Sequence, residues 1–156
     1  MHYSDKVLKL FKNPHNIGLI KNPSGIGKVG NVYCGDLLWI YIKVNKNKEG
    51  EKIIKNISFK SLGCVANIVT SSIVTDLARG KTIEKAIKIT KDDVLKKIGK
   101  IPPQKVHCSI LATDGLREAI YDYLSKNNLK IPKNLEENHE RLVKELKEIE
   151  RRYKSN

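Results

Sequence analysis

One helix, then β-prone runs, then a succession of helical segments is the order written along these 156 residues. That order predicts an α+β fold, a small antiparallel three-stranded sheet packed with helices, followed by an extra C-terminal heptad-patterned helix. Three observations carry the prediction. β-branched and aromatic residues concentrate between positions 29 and 59, the apolar spacing turns helical from Cys64 onward, and a polar stretch ending in Pro132 precedes a heptad stripe. An apolar content of 40% suffices for one core, though not for two. The expected organisation is a main domain over 1–126, a linker at 127–133 and an amphipathic helix over 134–156.

Residues 4–12 place Val7, Leu8 and Phe11 at helical spacing behind Ser4, an N-cap residue, so a short leading helix is expected. Residues 13–30 are rich in Asn, Pro and Gly and read as loop. Within them, Gly25-Ile26-Gly27-Lys28-Val29-Gly30 matches the dinucleotide fingerprint G-x-G-x-x-G, but no strand is expected before it and a β-prone run at 29–33 follows where a helix is needed. A P-loop fails as well, because Val29 stands where Ser or Thr should follow Gly27-Lys28.

Residues 37–44 and 53–59 are dense in Ile, Trp, Tyr, Val and Phe, and the polar turn 45–50 joins them into a hairpin to which 29–33 adds a third strand. From Cys64, Ile68, Val69, Ser72, Ile73, Asp76 and Leu77 keep helical spacing until Gly80, a C-terminal cap. Short helices follow at 82–89 and 92–98, capped by Thr82 and by the stretch from Thr90 to Asp92. Ile101-Pro102-Pro103 is held extended, since proline restricts its predecessor. A helix over 108–124 carries Ile110, Leu111, Leu116, Ile120 and Tyr123 on one face. Beyond Pro132, Leu135, His139, Leu142, Leu146, Ile149 and Tyr153 alternate spacings of four and three, with Glu137–Arg141, Glu140–Lys144 and Glu148–Arg152 as supporting pairs. Such a helix needs its stripe buried, either on its own domain or on a second copy, and the second case would make a homodimer.

Thirty Lys and Arg against 17 Asp and Glu give a formal charge of +13, a surplus that raises nucleic acid as a ligand. The lysines are scattered through every segment and aromatics make up only 6%, so there is no stacking platform. The surplus reads as a solvated basic surface suited to an acidic partner, with no nucleic acid expected. No window approaches 18 consecutive apolar residues, and the start, Met1-His2-Tyr3-Ser4-Asp5, lacks the basic-then-apolar layout of a signal peptide. A cytoplasmic protein without a membrane partner is expected.

Three cysteines, an odd number spread far apart, argue against a disulfide framework and for reduced thiols. Cys34 sits in Tyr33-Cys34-Gly35-Asp36, where glycine allows a turn that brings thiol and carboxylate toward one point. Cys64 follows Gly63 at a helix start, where free backbone N–H groups favour thiolate over thiol. Cys108 follows His107 at the start of another helix, and an imidazolium there would also acidify the thiol. Buried cysteine is often small apolar filler, but three cysteines at element junctions beside Asp36 and His107 point to a metal site. His2, His15 and His139 have no such company. Three thiolates with a carboxylate or an imidazole suit zinc or an iron–sulfur cluster, and donor type alone does not choose between them.

Tyr33-Cys34-Gly35-Asp36, Phe59-Lys60-Ser61-Leu62-Gly63-Cys64 and Ile101-Pro102-Pro103-Gln104-Lys105-Val106-His107-Cys108-Ser109-Ile110-Leu111-Ala112 resemble the ordered motifs of the IscU/NifU-type iron–sulfur cluster scaffold family. Asn13-Pro14-His15-Asn16-Ile17-Gly18 resembles that family's N-terminal signature, and the similarity spans about residues 3–123. The resemblance implies a non-enzymatic scaffold whose domain is 1–126. Cys34, Cys64 and Cys108, with Asp36 or His107, would hold a transient [2Fe–2S] cluster, with Zn2+ or Fe2+ as alternative occupants. It implies sulfur delivered as persulfide by a cysteine desulfurase to Cys108, iron and electron donors, and recipient apo-proteins. A carboxylate is a poor partner for a soft site, which makes Asp36 the expected source of lability.

Pro102, Pro103 and Lys105 match the loop that a dedicated Hsp70-type chaperone recognises in the family, except that Gln104 replaces the usual apolar residue. Val65 also stands where a small residue is usual. The short separation from Cys64 to Cys108 and the presence of His107 favour the IscU/NifU side over the SufU-type zinc-dependent sulfurtransferases. That enzyme class and a structural zinc-binding module are the alternatives. The helix after residue 126 lies outside the resemblance.

Overall fold

The computed structural model describes residues 2–155, so Met1 and Asn156, the outer ends of the two expected segments, lie outside the described residues. Helix α1 (Asp5–Lys12) starts where Ser4 Oγ accepts the Val7 N–H, the cap its sequence predicts. Strands β1 (Gly25–Gly30), β2 (Leu37–Lys46) and β3 (Lys52–Leu62) form an antiparallel sheet with β2 in the middle. Alternation along β2 puts Leu38, Ile40 and Ile42 on the core face, fully buried, where Ile57 and Phe59 of β3 join them. Trp39 faces the other way between Lys28 and Lys60, whose ammonium groups lie 5.6 and 5.0 Å from its ring.

The first strand corrects the expectation for residues 29–33. It begins four residues earlier, inside the glycine run that reads as loop, and Val32, Tyr33 and Cys34 form a turn instead. The reason is a close approach. A Cβ on Gly25 would collide with the Ala119 carbonyl oxygen, and one on Gly27 with the Gly115 carbonyl oxygen, so only a glycine strand can lie this near the crossing helix.

Helix α2 (Val65–Ala78) starts at Cys64 and ends before Gly80, whose φ of +81° suits the predicted cap. The short helices α3 (Ile83–Ile87) and α4 (Lys91–Ile98) begin at Thr82 and Thr90, and Thr90 with Asp93 closes a capping box. Pro102 is extended, but Pro103–Lys105 forms a single 3-10 turn in place of a fully extended segment. Helix α5 (His107–Lys126) crosses the sheet and buries Leu111, Ala112, Leu116, Ala119 and Ile120 against it. The Asn-Pro-His-Asn segment near the N-terminus has a structural task. Asn16, in left-handed conformation, accepts the Phe59 N–H through its carbonyl, while its side-chain amide reaches Thr75 and Asp76, pinning this loop to the β3 edge.

Helix α6 (Lys133–Ser155) settles the fate of the heptad stripe. Leu135, Leu142 and Ile149 are each 2% exposed, packed on the chain's own β1 and α5. His139 Nδ1 lies 3.0 Å from both Glu118 carboxylate oxygens, and its ring stacks on Tyr121 at 3.7 Å. Arg141 turns from the expected Glu137 to Asp114 (3.2 Å) and Glu145 (3.0 Å), while Glu148–Arg152 forms as expected. Intramolecular docking thus takes up the apolar surface on which the expected homodimer rested. The physical reason is that α5 and β1 offer a matching apolar face at zero translational cost.

Candidate metal centre

Three chain segments meet at one end of the sheet: the β1–β2 turn, the start of α2 and the start of α5. The turn is built by Asn31, whose side-chain oxygen accepts the N–H groups of Tyr33 (2.9 Å) and Cys34 (3.0 Å), while its backbone N–H donates to the Asp36 carbonyl at 3.0 Å. Gly35, with φ of +75°, reverses the chain so that Asp36 points inward. The Asp36 carboxylate is then nearly buried, at 8% exposure, and accepts from the Asn67 side-chain amide at 3.3 Å.

Cys64 Sγ lies 3.8 Å from Cys108 Sγ, and one carboxylate oxygen of Asp36 lies with both sulfurs inside a 4.8 Å span. That sulfur separation has chemical meaning. Two thiolates held at ~2.3 Å on one tetrahedral metal stand roughly 3.8 Å apart. His107 Nε2 is 3.6 Å from Cys108 Sγ, beside the group of three. Cys34 and His107 are the expected donors that stand outside this group. Cys34 is exposed on the turn, and the tight group of Asp36, Cys64 and Cys108 excludes it, although it is near enough to Cys64 for their charges to interact.

The two thiols at helix starts, both expected to favour thiolate, shift in opposite directions. Cys64 is pulled down to about 6, chiefly because the Cys108 S–H donates to it; burial opposes this, and the Asn67 backbone N–H adds to it at the helix start. Cys108 is pushed far up because its proton is shared with Cys64 and its surroundings are dry. Of the two thiols expected to be acidic, Cys64 is so and Cys108 is not. Partial desolvation raises Cys34, a hydrogen bond from the Asp36 backbone offsets some of this, and the Asp36 carboxylate adds to the rise.

Sequence reasoning missed Asn67 and assigned Lys105 only to a recognition loop. Asn67 is fully buried three residues into α2, on the same face as Cys64, and a polar residue there in an otherwise apolar turn was the available signal. Lys105 is raised above its ordinary value chiefly by the Cys64 thiolate, which makes it the nearby compensating charge. Tyr3 is raised by burial and then by the same thiolate. Pro102 is buried and Pro103 exposed, so the loop that carries Lys105 rises directly beside the centre. A pocket of about 580 Å³ between α1, α2 and α4 contains none of the five donors, so cavity volume would have pointed elsewhere.

Known proteins resemble this chain in sequence and in fold. The family described as NifU-like N terminal domain matches residues 2–130. Iron-sulfur cluster assembly scaffold protein IscU 1 of Archaeoglobus fulgidus is 51% identical over 149 residues, covering 96% of this chain and 92% of that protein. The IscU scaffold protein of Escherichia coli K12 is 41% identical over 133 residues, covering 83% of this chain and all of that relative. In fold, the chain matches the crystal structure of a putative iron-sulfur cluster assembly scaffold protein for the SUF system from Fervidobacterium islandicum AW-1. The TM-score is 0.61 at 21% identity, over 76% of this chain and 96% of that one. An alignment over 96% of the chain leaves too few residues to omit the 23 of α6, so the archaeal similarity extends into that helix, beyond the limit expected near residue 123.

Proposed function

Since the chain belongs to the NifU-like N-terminal domain family, which contains the IscU-type scaffolds, we propose that it is an iron–sulfur cluster assembly scaffold that builds a [2Fe–2S] cluster and hands it on. The observation that carries the reading is the pair of sulfurs 3.8 Å apart with the Asp36 carboxylate inside the same 4.8 Å span. Cys64 and Cys108 form the inner part of the shell, and Cys34 joins from the rim by a small movement of its exposed turn. Asp36 and His107 compete for the fourth place. The same donors suit Zn2+ or Fe2+, which would occupy the site when sulfide is scarce.

Sulfur arrives in this reading from a cysteine desulfurase. The acceptor thiolate attacks the outer sulfur of the donor persulfide, the donor S–S bond breaks, the desulfurase leaves as thiolate, and a new Cys–S–SH is left on the scaffold. Cys108 is the proposed acceptor. Its proton, shared with Cys64 in the metal-free pair, passes to His107 Nε2, 3.6 Å away, as the acceptor thiolate forms. Lys105 balances the negative charge that gathers as thiolate and sulfide accumulate.

Iron and electron donors and recipient apo-proteins complete the cycle, with an Hsp70-type chaperone acting on the Pro102-Pro103 loop in a form adapted to Gln104. We place the protein in the cytoplasm, and no described helix is long and apolar enough to cross a membrane. Scaffolding of this kind turns over no substrate of its own.

Anaerobic reconstitution with ferrous iron and sulfide tests the proposal. Visible absorption of a [2Fe–2S] cluster should appear in the native chain and vanish when Cys34, Cys64 or Cys108 is replaced by Ala. Tight zinc binding with no cluster under those conditions would move the assignment to a SufU-like zinc-dependent sulfurtransferase or a structural zinc module.

A further inference from the structure

The last turns of α6 touch the loop that carries two of the five donors. Arg152 Nη1 donates to the Val32 carbonyl at 2.6 Å, and Tyr153 Oη donates to the Gly35 carbonyl at 3.1 Å. These two carbonyls bracket Cys34. Ile149, buried, rests against Gly30 where the loop leaves β1, and Lys28 reaches Glu150 at 2.9 Å beside it. Glu148 holds the Arg152 guanidinium in place from one turn earlier, at 3.2 Å.

On its inner side the loop is tied to α2 at Asp36, whose carboxylate accepts from the Asn67 amide at 3.3 Å, while the stretch around Cys34 is held by its own turn. The N–H groups of Tyr33 and Cys34 go to Asn31, and so does the N–H of Gly35, at 2.8 Å to the Asn31 carbonyl. Between loop and helix lies a small gap of about 90 Å³ lined by Val32, Gly35, Ile149, Arg152 and Tyr153. Around Cys34 the loop is thus fastened to α6 by two polar contacts across a gap, so those contacts bear on the position of this thiol, while Asp36 is held separately from α2.

We propose that Arg152 and Tyr153 are positioning residues that hold Cys34 at the rim of the centre, so that α6 sets how readily this thiol closes the ligand shell. This role rests on the reading of Cys34 as a ligand, and it lies in a segment beyond the 2–130 span of the family match. It also gives the helix a task in the chemistry that its stripe alone does not suggest. Cys34 is the one thiol outside the tight group of three donors, so its entry is the step that a tether on this loop governs.

The test uses the full chain, first without metal and then reconstituted. Amide hydrogen exchange is measured at Cys34 and Gly35 in Tyr153→Phe, in Arg152→Met and in the pair, with core amides of β2 as the control for global stability. Each single variant should speed exchange at these amides about threefold and the pair about tenfold, the factors for losing one and two partly exposed hydrogen bonds. Arg152→Lys, which keeps a donor for the Val32 carbonyl, should restore the native rate. In the reconstituted chain the pair should alter the visible circular dichroism of the cluster and speed its removal by a chelator. Unchanged exchange at Cys34 and Gly35 would overturn the proposal, and so would faster exchange with an unaltered cluster spectrum and chelation rate. If exchange speeds up but no cluster forms even on the native chain, the tether stands as a loop contact and the cluster reading is what has failed.

Discussion

The acidity of Cys64 is the sharpest consequence of the site geometry. Its thiol is lowered to about 6 from an ordinary 9.0, first by the hydrogen bond from Cys108. At pH 7 that makes it about nine-tenths thiolate, against roughly 1% for an ordinary thiol of pKa 9. The gain in reactivity is smaller than that ratio, because a less basic thiolate is a weaker nucleophile. With a Brønsted slope of about 0.45 the intrinsic loss over three units is roughly twentyfold, so the net gain is about four- to fivefold. Iodoacetamide labelling of the metal-free chain, resolved by peptide mass spectrometry across pH 4 to 10, reads this directly. The Cys64 rate should rise with a midpoint near 6 in the native chain. In Cys108→Ala the midpoint should move up toward the ordinary value, and in Cys108→Ser, which keeps a hydroxyl donor, it should stay between the two. A native midpoint above about 8, or one that Cys108→Ala leaves in place, would refute the hydrogen-bond account. The same shifts tie stability to pH. Cys64, depressed in the folded state, contributes stability that is fully present above the unfolded value of 9.0 and is lost as pH falls through about 6. Cys108, raised in the folded state, contributes stability that is present below 9.0 and is lost as the unfolded chain ionises above it. The thermal midpoint of the metal-free chain should therefore climb between pH 6 and 9 and fall beyond.

Three further outcomes follow from packing and charge. Leu142→Ala removes a side chain 2% exposed between α6 and the domain, so urea denaturation should show a loss of about 2–5 kcal/mol. Light scattering on the native chain should meanwhile give a monomer mass that concentration does not change. Gly27→Ala drives a methyl group into the backbone of α5 at Gly115 and should cost about 3 kcal/mol by the same denaturation measurement, far more than an ordinary strand substitution. Asp36→Ala should slow cluster loss, because it removes the weakest donor from the shell; an unchanged transfer rate to an apo-ferredoxin would argue against lability at Asp36.

Much of the fold is legible in the chain because its signals are local. Ser4, Thr82 and Thr90 mark helix starts through side-chain oxygens that cap their own backbone, and Gly80 marks an end through its φ. The first strand is not legible. Gly25 and Gly27 are turn residues by local preference, and only the approach of α5 explains why a strand should be made of them. The stripe on α6 is equally ambiguous, since Leu135, Leu142 and Ile149 look the same whether they face a partner copy or the protein's own β1 and α5. Of the site, the donor types and their places at element junctions can be read from the sequence, and Asn67 could have been.

By itself the sequence determined which groups are available: three thiols, a carboxylate and an imidazole, each at the start or end of an element, with glycines and prolines that make such junctions possible. That information is carried by neighbours along the chain, and caps, turns and periodicity are properties of neighbours. Only the tertiary structure decided which donors converge, that Cys34 waits at the rim, that Cys64 and not Cys108 is the acidic thiol, and that α6 folds back to grip the Cys34 loop. Proton affinity and ligand geometry depend on distances through space. Here those distances are set where residues 28 to 120 positions apart in sequence meet.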